Sequence, residues 1–98
     1  MATGEAYYRG GTSLKPRPFE AKLDPVTGLL RPTHGISVFN RPDHLDRFGG
    51  AYRVTGVPEE LKIIQRGRDP SHFELVPARP MTLAEYEAAL GKIVLVSA

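Results

Sequence analysis

The chain reads as an α+β domain, a small mixed or antiparallel sheet packed by two or three short helices. Three observations predict this. Short β-type runs recur between Gly, Pro, Asn and Asp punctuation, and one strongly capped helix lies near the C-terminal end. Ten glycines and nine prolines in 98 residues favour turns and brief elements over long helices. Residues 1–98 are read as a single domain, because that length does not divide into two self-sufficient cores.

The first strand is placed at Glu5–Arg9, where Tyr7 and Tyr8 favour extended backbone. Gly10-Gly11 ends it and permits a sharp turn or a close approach of backbone to ligand. Thr12 to His34 then carries Pro16, Pro18, Pro25 and Pro32 and the turn signal Asp24-Pro25-Val26-Thr27-Gly28. So long a stretch without periodicity reads as a substrate-facing loop, with one helical turn near Phe19–Leu23.

Gly35–Phe39 is a strand by composition. Period two sets Ile36 and Val38 on one face, Ser37 and Phe39 on the other. A short helix over about Asp43–Phe48 follows, closed by Gly49-Gly50, and Ala51–Thr55 is the next strand. Leu61–Arg66 and Ser71–Val76, separated by a Gly/Asp/Pro segment, read as a hairpin. In its second strand Phe73 and Leu75 face one way, while His72, Glu74 and Val76 face the other.

Thr82 begins the clearest helix, because Glu85 three residues on completes a capping box. Leu83, Tyr86, Leu90 and Ile93 recur at helical spacing and can cover one face of the sheet. Ile93–Val96 is either the end of this helix or a closing strand after a stop at Gly91.

Composition narrows the chemistry. A formal charge of +2 is mildly basic, short of the footprint of a dedicated duplex-DNA binder. It suits one anionic small molecule and leaves RNA allowed. The absence of cysteine excludes a disulfide scaffold, a thiol nucleophile and cysteine-ligated metals. His34, His44 and His72 lack a tight ligand spacing, so no metal is expected. No apolar run approaches the roughly 18 residues that span a bilayer, so no membrane role is expected. The start of the chain shows no secretory pattern. The expected location is the cytoplasm, or the cytoplasm of a target cell reached without a cleaved signal.

Four residues stand out. Arg9 lies at a strand end before two glycines, and a guanidinium fork suits phosphate, although a surface arginine beside a turn is the plainer alternative. Ser37, with Phe39 on its face, can orient and stack a flat polar ring, or is an ordinary half-exposed strand serine. No Gly-x-Ser-x-Gly elbow surrounds it, so an activated serine nucleophile has no support. His72 and Glu74 share a strand face and can supply acid–base chemistry or a carboxylate for developing positive charge, or are a solvent-facing pair. Lys62, Arg66 and Arg68 cluster near the hairpin as a solvated face or a phosphate or RNA contact, with Gln65 on the other strand face.

A resemblance joins these residues. Gly35-Ile36-Ser37-Val38-Phe39-Asn40-Arg41, then Val57 to Gln65, then His72-Phe73-Glu74-Leu75-Val76-Pro77-Ala78-Arg79-Pro80-Met81 resemble a family of small bacterial toxins. That family is typified by a type VI secretion effector with an ADP-ribosyltransferase-like fold. Its blocks run Gly-Thr-Ser-Val-Phe-Asp, Pro-Pro-x-Leu-Lys-x-x-Gln and His-Tyr-x-x-x-Pro-Ala-x-Pro-Met, and its N-terminal Leu-Tyr-Arg is similar to Tyr7-Tyr8-Arg9.

The resemblance implies an ADP-ribosyltransferase-like fold and a toxin-like ADP-ribosyltransferase, a glycosyl-transferring enzyme that consumes NAD as substrate. Arg9 would hold the NAD phosphates, Ser37 would orient the nicotinamide ribose, and Phe39 would stack on the ring. Glu74 would stabilise the oxocarbenium-like state, and His72 matches the histidine of the pattern. Tyr8, Gly10 and Gln65 complete the expected NAD-binding set. Ile36 replaces the threonine of the pattern, and the pattern demands no acid at the position of Glu74.

A protein inhibitor covering the cleft, an immunity protein or antitoxin, is the expected partner, beside an acceptor macromolecule. Two other readings stay open. His72, Glu74 and Arg9 could cleave RNA as a small toxin ribonuclease, or the chain could be a non-catalytic binding module retaining the fold.

Overall fold

Six short strands form one antiparallel sheet in a computed structural model of the chain, which describes residues 5–98. The strands are β1 (Tyr8–Gly10), β2 (Ile36–Phe39), β3 (Ala51–Thr55), β4 (Leu61–Gln65), β5 (His72–Pro77) and β6 (Val94–Ser97). The helix α1 (Leu83–Leu90) packs on one face, and a single 3-10 turn occupies Asp46–Phe48. Across the sheet the order is β4-β5-β2-β1-β3-β6, and every pairing is antiparallel. The class is therefore α+β, with one α-helix among the described residues where two or three short helices were expected. Asp43–Phe48 makes only its last turn, because His44 takes a left-handed φ of 67° and left-handed Gly49 and Gly50 close the turn after Phe48. No helix among the described residues is long and apolar enough to cross a membrane.

Period-two alternation builds the core. Ile36, Val38 and Leu75 are fully buried from the sheet side, and Tyr86, Ala89, Leu90 and Ile93 cover them from the helix side. Thr82 caps α1 by accepting from the Glu85 amide, while the Glu85 carboxylate accepts from the Thr82 amide. Gly91 ends the helix after eight residues. Ile93 thus turns into the core, and Val94–Ser97 leaves as the strand that pairs with β3. The strand alternative for Ile93–Val96 is the one the fold adopts.

Tyr86 has a second task. Its hydroxyl donates to the Leu75 carbonyl at 2.6 Å and accepts from the Ile36 amide at 3.1 Å. Ile36 and Leu75 face each other across β2 and β5, so the phenol oxygen stands between two backbone groups that would otherwise pair directly. Burial pushes the Tyr86 hydroxyl up to about 12. Gly35 makes room for this arrangement: a Cβ there would overlap the Leu75 carbonyl and the Tyr86 hydroxyl.

The segment before β2 forms no helical turn at Phe19–Leu23. Pro18–Glu20 is an isolated turn closed by the Glu20 amide on the Arg17 carbonyl at 2.9 Å. Pro16 and Pro18 keep Lys15 and Arg17 extended, so the chain enters this turn from extended backbone. Beyond it Asp24 caps the Val26 and Thr27 amides, Leu23 and Leu30 bridge, and Leu30 bonds Met81. Leu14, Ala21 and Leu30 pin this long segment to the core.

Candidate active site at the split between β1 and β2

The sheet opens at one place. β1 pairs with β3 at three positions but with β2 only at Tyr8↔Phe39. Beyond that contact β1 departs, and the amide and carbonyl of Ser37 lose a strand partner. Buried backbone groups require replacements, and side chains supply them. Arg9 Nη1 donates to the Ser37 carbonyl at 2.7 Å, and the Ser37 amide donates to Glu20 Oε2 at 3.4 Å. Arg9 Nε also donates to the Ser13 carbonyl at 3.0 Å. Arginine and glutamate thus fill the gap that the missing β1–β2 ladder leaves. Burial pushes the Arg9 guanidinium below its ordinary value, and the Glu20 carboxylate opposes that shift.

Ser37 and Glu74 face each other across β2 and β5, as do Phe39 and His72. The imidazole of His72 reaches along this face to Ser37, with Nε2 2.9 Å from Oγ. Its Nδ1 lies 2.8 Å from the Arg66 carbonyl, which can only accept, so Nδ1 carries the proton. In the neutral ring Nε2 is then an acceptor, placed to take the Ser37 hydroxyl hydrogen. This leaves the serine oxygen's lone pairs for a ligand donor.

Arg66 occupies that position because the turn after β4 returns to β5 through left-handed Gly67, with the His72 amide on the Asp69 carbonyl. The Phe39 ring meets the imidazole edge-on, centroids 5.6 Å apart. Glu74 is buried behind this pair. Its Oε1 accepts the Gly35 amide at 3.0 Å, and its Oε2 lies 3.4 Å from Arg66 Nε and 3.9 Å from His72 Nε2.

A cavity of about 200 Å³ sits at the split, lined by Arg9, Arg17, Phe19, Glu20, Ser37 and Phe39 among others. Gly10 and Phe48 complete the lining, and any Cβ at Gly10 would strike the Phe48 side chain. Phe39 and Phe48 also line a second, open groove of about 660 Å³ with Arg41, His44, Arg47 and Ser71. The two spaces share an aromatic wall.

Of the residues singled out in the sequence, Arg9, Gly10, Ser37 and Phe39 meet at the cavity, and His72 joins through Ser37. Glu74 stands one layer back and does not line it. Tyr8 lines a separate shallow groove with Tyr52, Arg53 and Val96. Gln65 lies outside the site on the opposite sheet face, where it braces the hairpin loop through the Gly67 and Asp69 carbonyls. Arg66 is drawn from the basic cluster into the site, while Lys62 remains exposed.

Arg17, Phe19, Glu20 and Phe48 are the lining residues that sequence reasoning did not name as site residues. The only signal for Glu20 was its place in a long proline-broken segment, since its partner Ser37 lies 17 residues away. Comparison of the chain with family models, curated proteins and solved structures finds no match.

Proposed function

We propose that the chain is a toxin-like, NAD-consuming ADP-ribosyltransferase with an ADP-ribosyltransferase-like fold. The observation that carries the reading is the meeting of Arg9, Ser37 and Phe39 around one small cavity at the sheet split, beside a larger groove that shares Phe39 and Phe48. A space of about 200 Å³ is below the usual roughly 300–1,000 Å³ of a drug-sized ligand site and takes a single ring. The larger groove, with Arg41 and Arg47 on its wall, has room for the remainder of a dinucleotide.

In this reading nicotinamide enters the small cavity against Phe39. The Ser37 oxygen, its hydrogen held by His72, accepts from a ribose hydroxyl. Arg9 faces the diphosphate. The bond between ribose C1′ and the nicotinamide nitrogen breaks heterolytically, nicotinamide leaves with the electron pair, and the ribosyl cation is captured by an acceptor nucleophile or water. Glu74 lowers the energy of that cation through its field. It acts from behind Ser37 and also keeps Gly35, Arg66 and His72 in place. A protein inhibitor seated over the split would block all of these steps.

The test is incubation of the purified chain with NAD, alone and with cell lysate, while free nicotinamide is followed. Release that falls about 10–100-fold in Ser37→Ala supports the reading. No release under either condition sinks it. RNA degradation without NAD would move the assignment to a ribonuclease.

A further inference from the structure

The cavity already contains an anion of the protein's own. Glu20 Oε2 lies 3.9 Å from Arg9 Nη1 and 3.4 Å from the Ser37 amide, where a ligand's phosphate oxygen would meet both. Both side chains are nearly buried, 12% exposed for Arg9 and 11% for Glu20. We propose that Glu20 is an internal competitor for the Arg9 subsite, so that a ligand must displace this carboxylate with an anionic group such as a diphosphate. The proposal rests on the NAD reading for the ligand's identity, but not for the competition itself.

The geometry of Glu20 is that of a replaceable occupant. An N···O separation of 3.9 Å is too long for a hydrogen bond, so Arg9 and Glu20 attract without the bidentate contact that makes arginine–anion pairs strong. The bond from the Ser37 amide, at 3.4 Å, is at the long limit. Oε1 is better held, accepting the Arg17 amide at 2.9 Å, but that bond lies within the Pro18–Glu20 turn and travels with it.

Nothing heavy anchors the turn. Phe19 at its tip is 75% exposed, and the flanking core contacts are Leu14 and Ala21. A movement confined to residues 15–20 therefore uncovers no core. It also leaves Arg9 facing the cavity without the carboxylate that offsets it.

Removing one negative charge at about 3 Å from a bound phosphate strengthens its binding by about tenfold even under the full dielectric of water. Glu20→Gln keeps the side chain's size, and its one amide oxygen can still accept from the Arg17 amide, so the turn is retained.

The experiment uses the full chain and Glu20→Gln, both labelled with ¹⁵N, titrated with inorganic pyrophosphate and separately with NAD. In parallel, phenylglyoxal modification of Arg9 is timed by peptide mass mapping. The expected result is pyrophosphate binding about tenfold tighter in Glu20→Gln and faster Arg9 modification. The Ser37 amide resonance of the wild-type protein should also move on titration toward its position in the variant.

Equal or weaker pyrophosphate binding in Glu20→Gln overturns the proposal, as does the absence of pyrophosphate binding to either protein. Tighter pyrophosphate binding with no NAD binding by either protein keeps the competitor and removes the NAD reading.

Discussion

Replacing Tyr86 by Phe removes one oxygen atom from the core and isolates two backbone groups at once. The Ile36 amide and the Leu75 carbonyl lose their only partner in the phenol, and both residues are fully buried. Each buried orphan costs about 1–3 kcal/mol, whereas the ring's apolar burial is unchanged. Partial closure of β2 onto β5 recovers some of that, so the expected loss is about 2–4 kcal/mol. For a domain of this size that corresponds to a melting temperature lower by roughly 10–25 °C.

Urea unfolding followed by circular dichroism measures the loss, and the dependence on urea should keep its slope because the exposed surface is unchanged. A loss below about 0.5 kcal/mol would refute the bridging role, since the two backbone groups would then satisfy each other without the phenol.

The same residue gives a pH dependence. The folded Tyr86 hydroxyl sits near 12 against an ordinary 10, so the folded state holds this proton longer than the unfolded chain does. Its contribution is present in full below pH 10 and is lost as pH rises through about 12. The difference between wild-type and Tyr86→Phe stability should accordingly shrink by about 2–3 kcal/mol over that window. A difference that stays constant across it contradicts the buried phenol.

Three further perturbations test the frame and the site. Gly35→Ala should prevent folding or cost more than about 4 kcal/mol, read as lost amide dispersion in a nitrogen–proton spectrum, because the added methyl meets the Leu75 carbonyl and the Tyr86 hydroxyl. Thr82→Ala should cost about 1 kcal/mol in thermal unfolding, through loss of the acceptor for the Glu85 amide. His72→Gln and Ser37→Ala should each slow nicotinamide release about 10–100-fold. The double variant should lose no more than the worse single, because one hydrogen bond joins the pair. Ring nitrogen shifts of His72 should show the proton on Nδ1; the opposite tautomer would remove the proposed orientation of Ser37.

Local order alone carries most of the elements. Alternation in Ile36–Phe39 and His72–Pro77, the capping box at Thr82 and the stop at Gly91 each depend on neighbours within a few residues. Their faces were therefore legible strand by strand, Ser37 with Phe39 and His72 with Glu74, while the register that sets the two pairs side by side came from the fold. The 3-10 turn at Asp46–Phe48 and the missing helix at Phe19–Leu23 show the limit of that reasoning, since single backbone conformations such as left-handed His44 override a loosely helical pattern.

What tertiary structure decided is everything that depends on partners far apart in the chain. The strand order and the single contact between β1 and β2 arise from global packing, and no residue of β1 encodes the split by itself. Only in the folded chain does the missing ladder leave Ser37's backbone without a strand, and only there do Arg9 and Glu20 arrive to satisfy it. Strand alternation and the resemblance marked Glu74 as the site's acid, but three-dimensional placement sets Glu74 behind the cavity and Glu20 within its lining. Sequence spacing orders residues along a strand, whereas the contents of a gap between strands are set by whichever distant side chains the fold brings there.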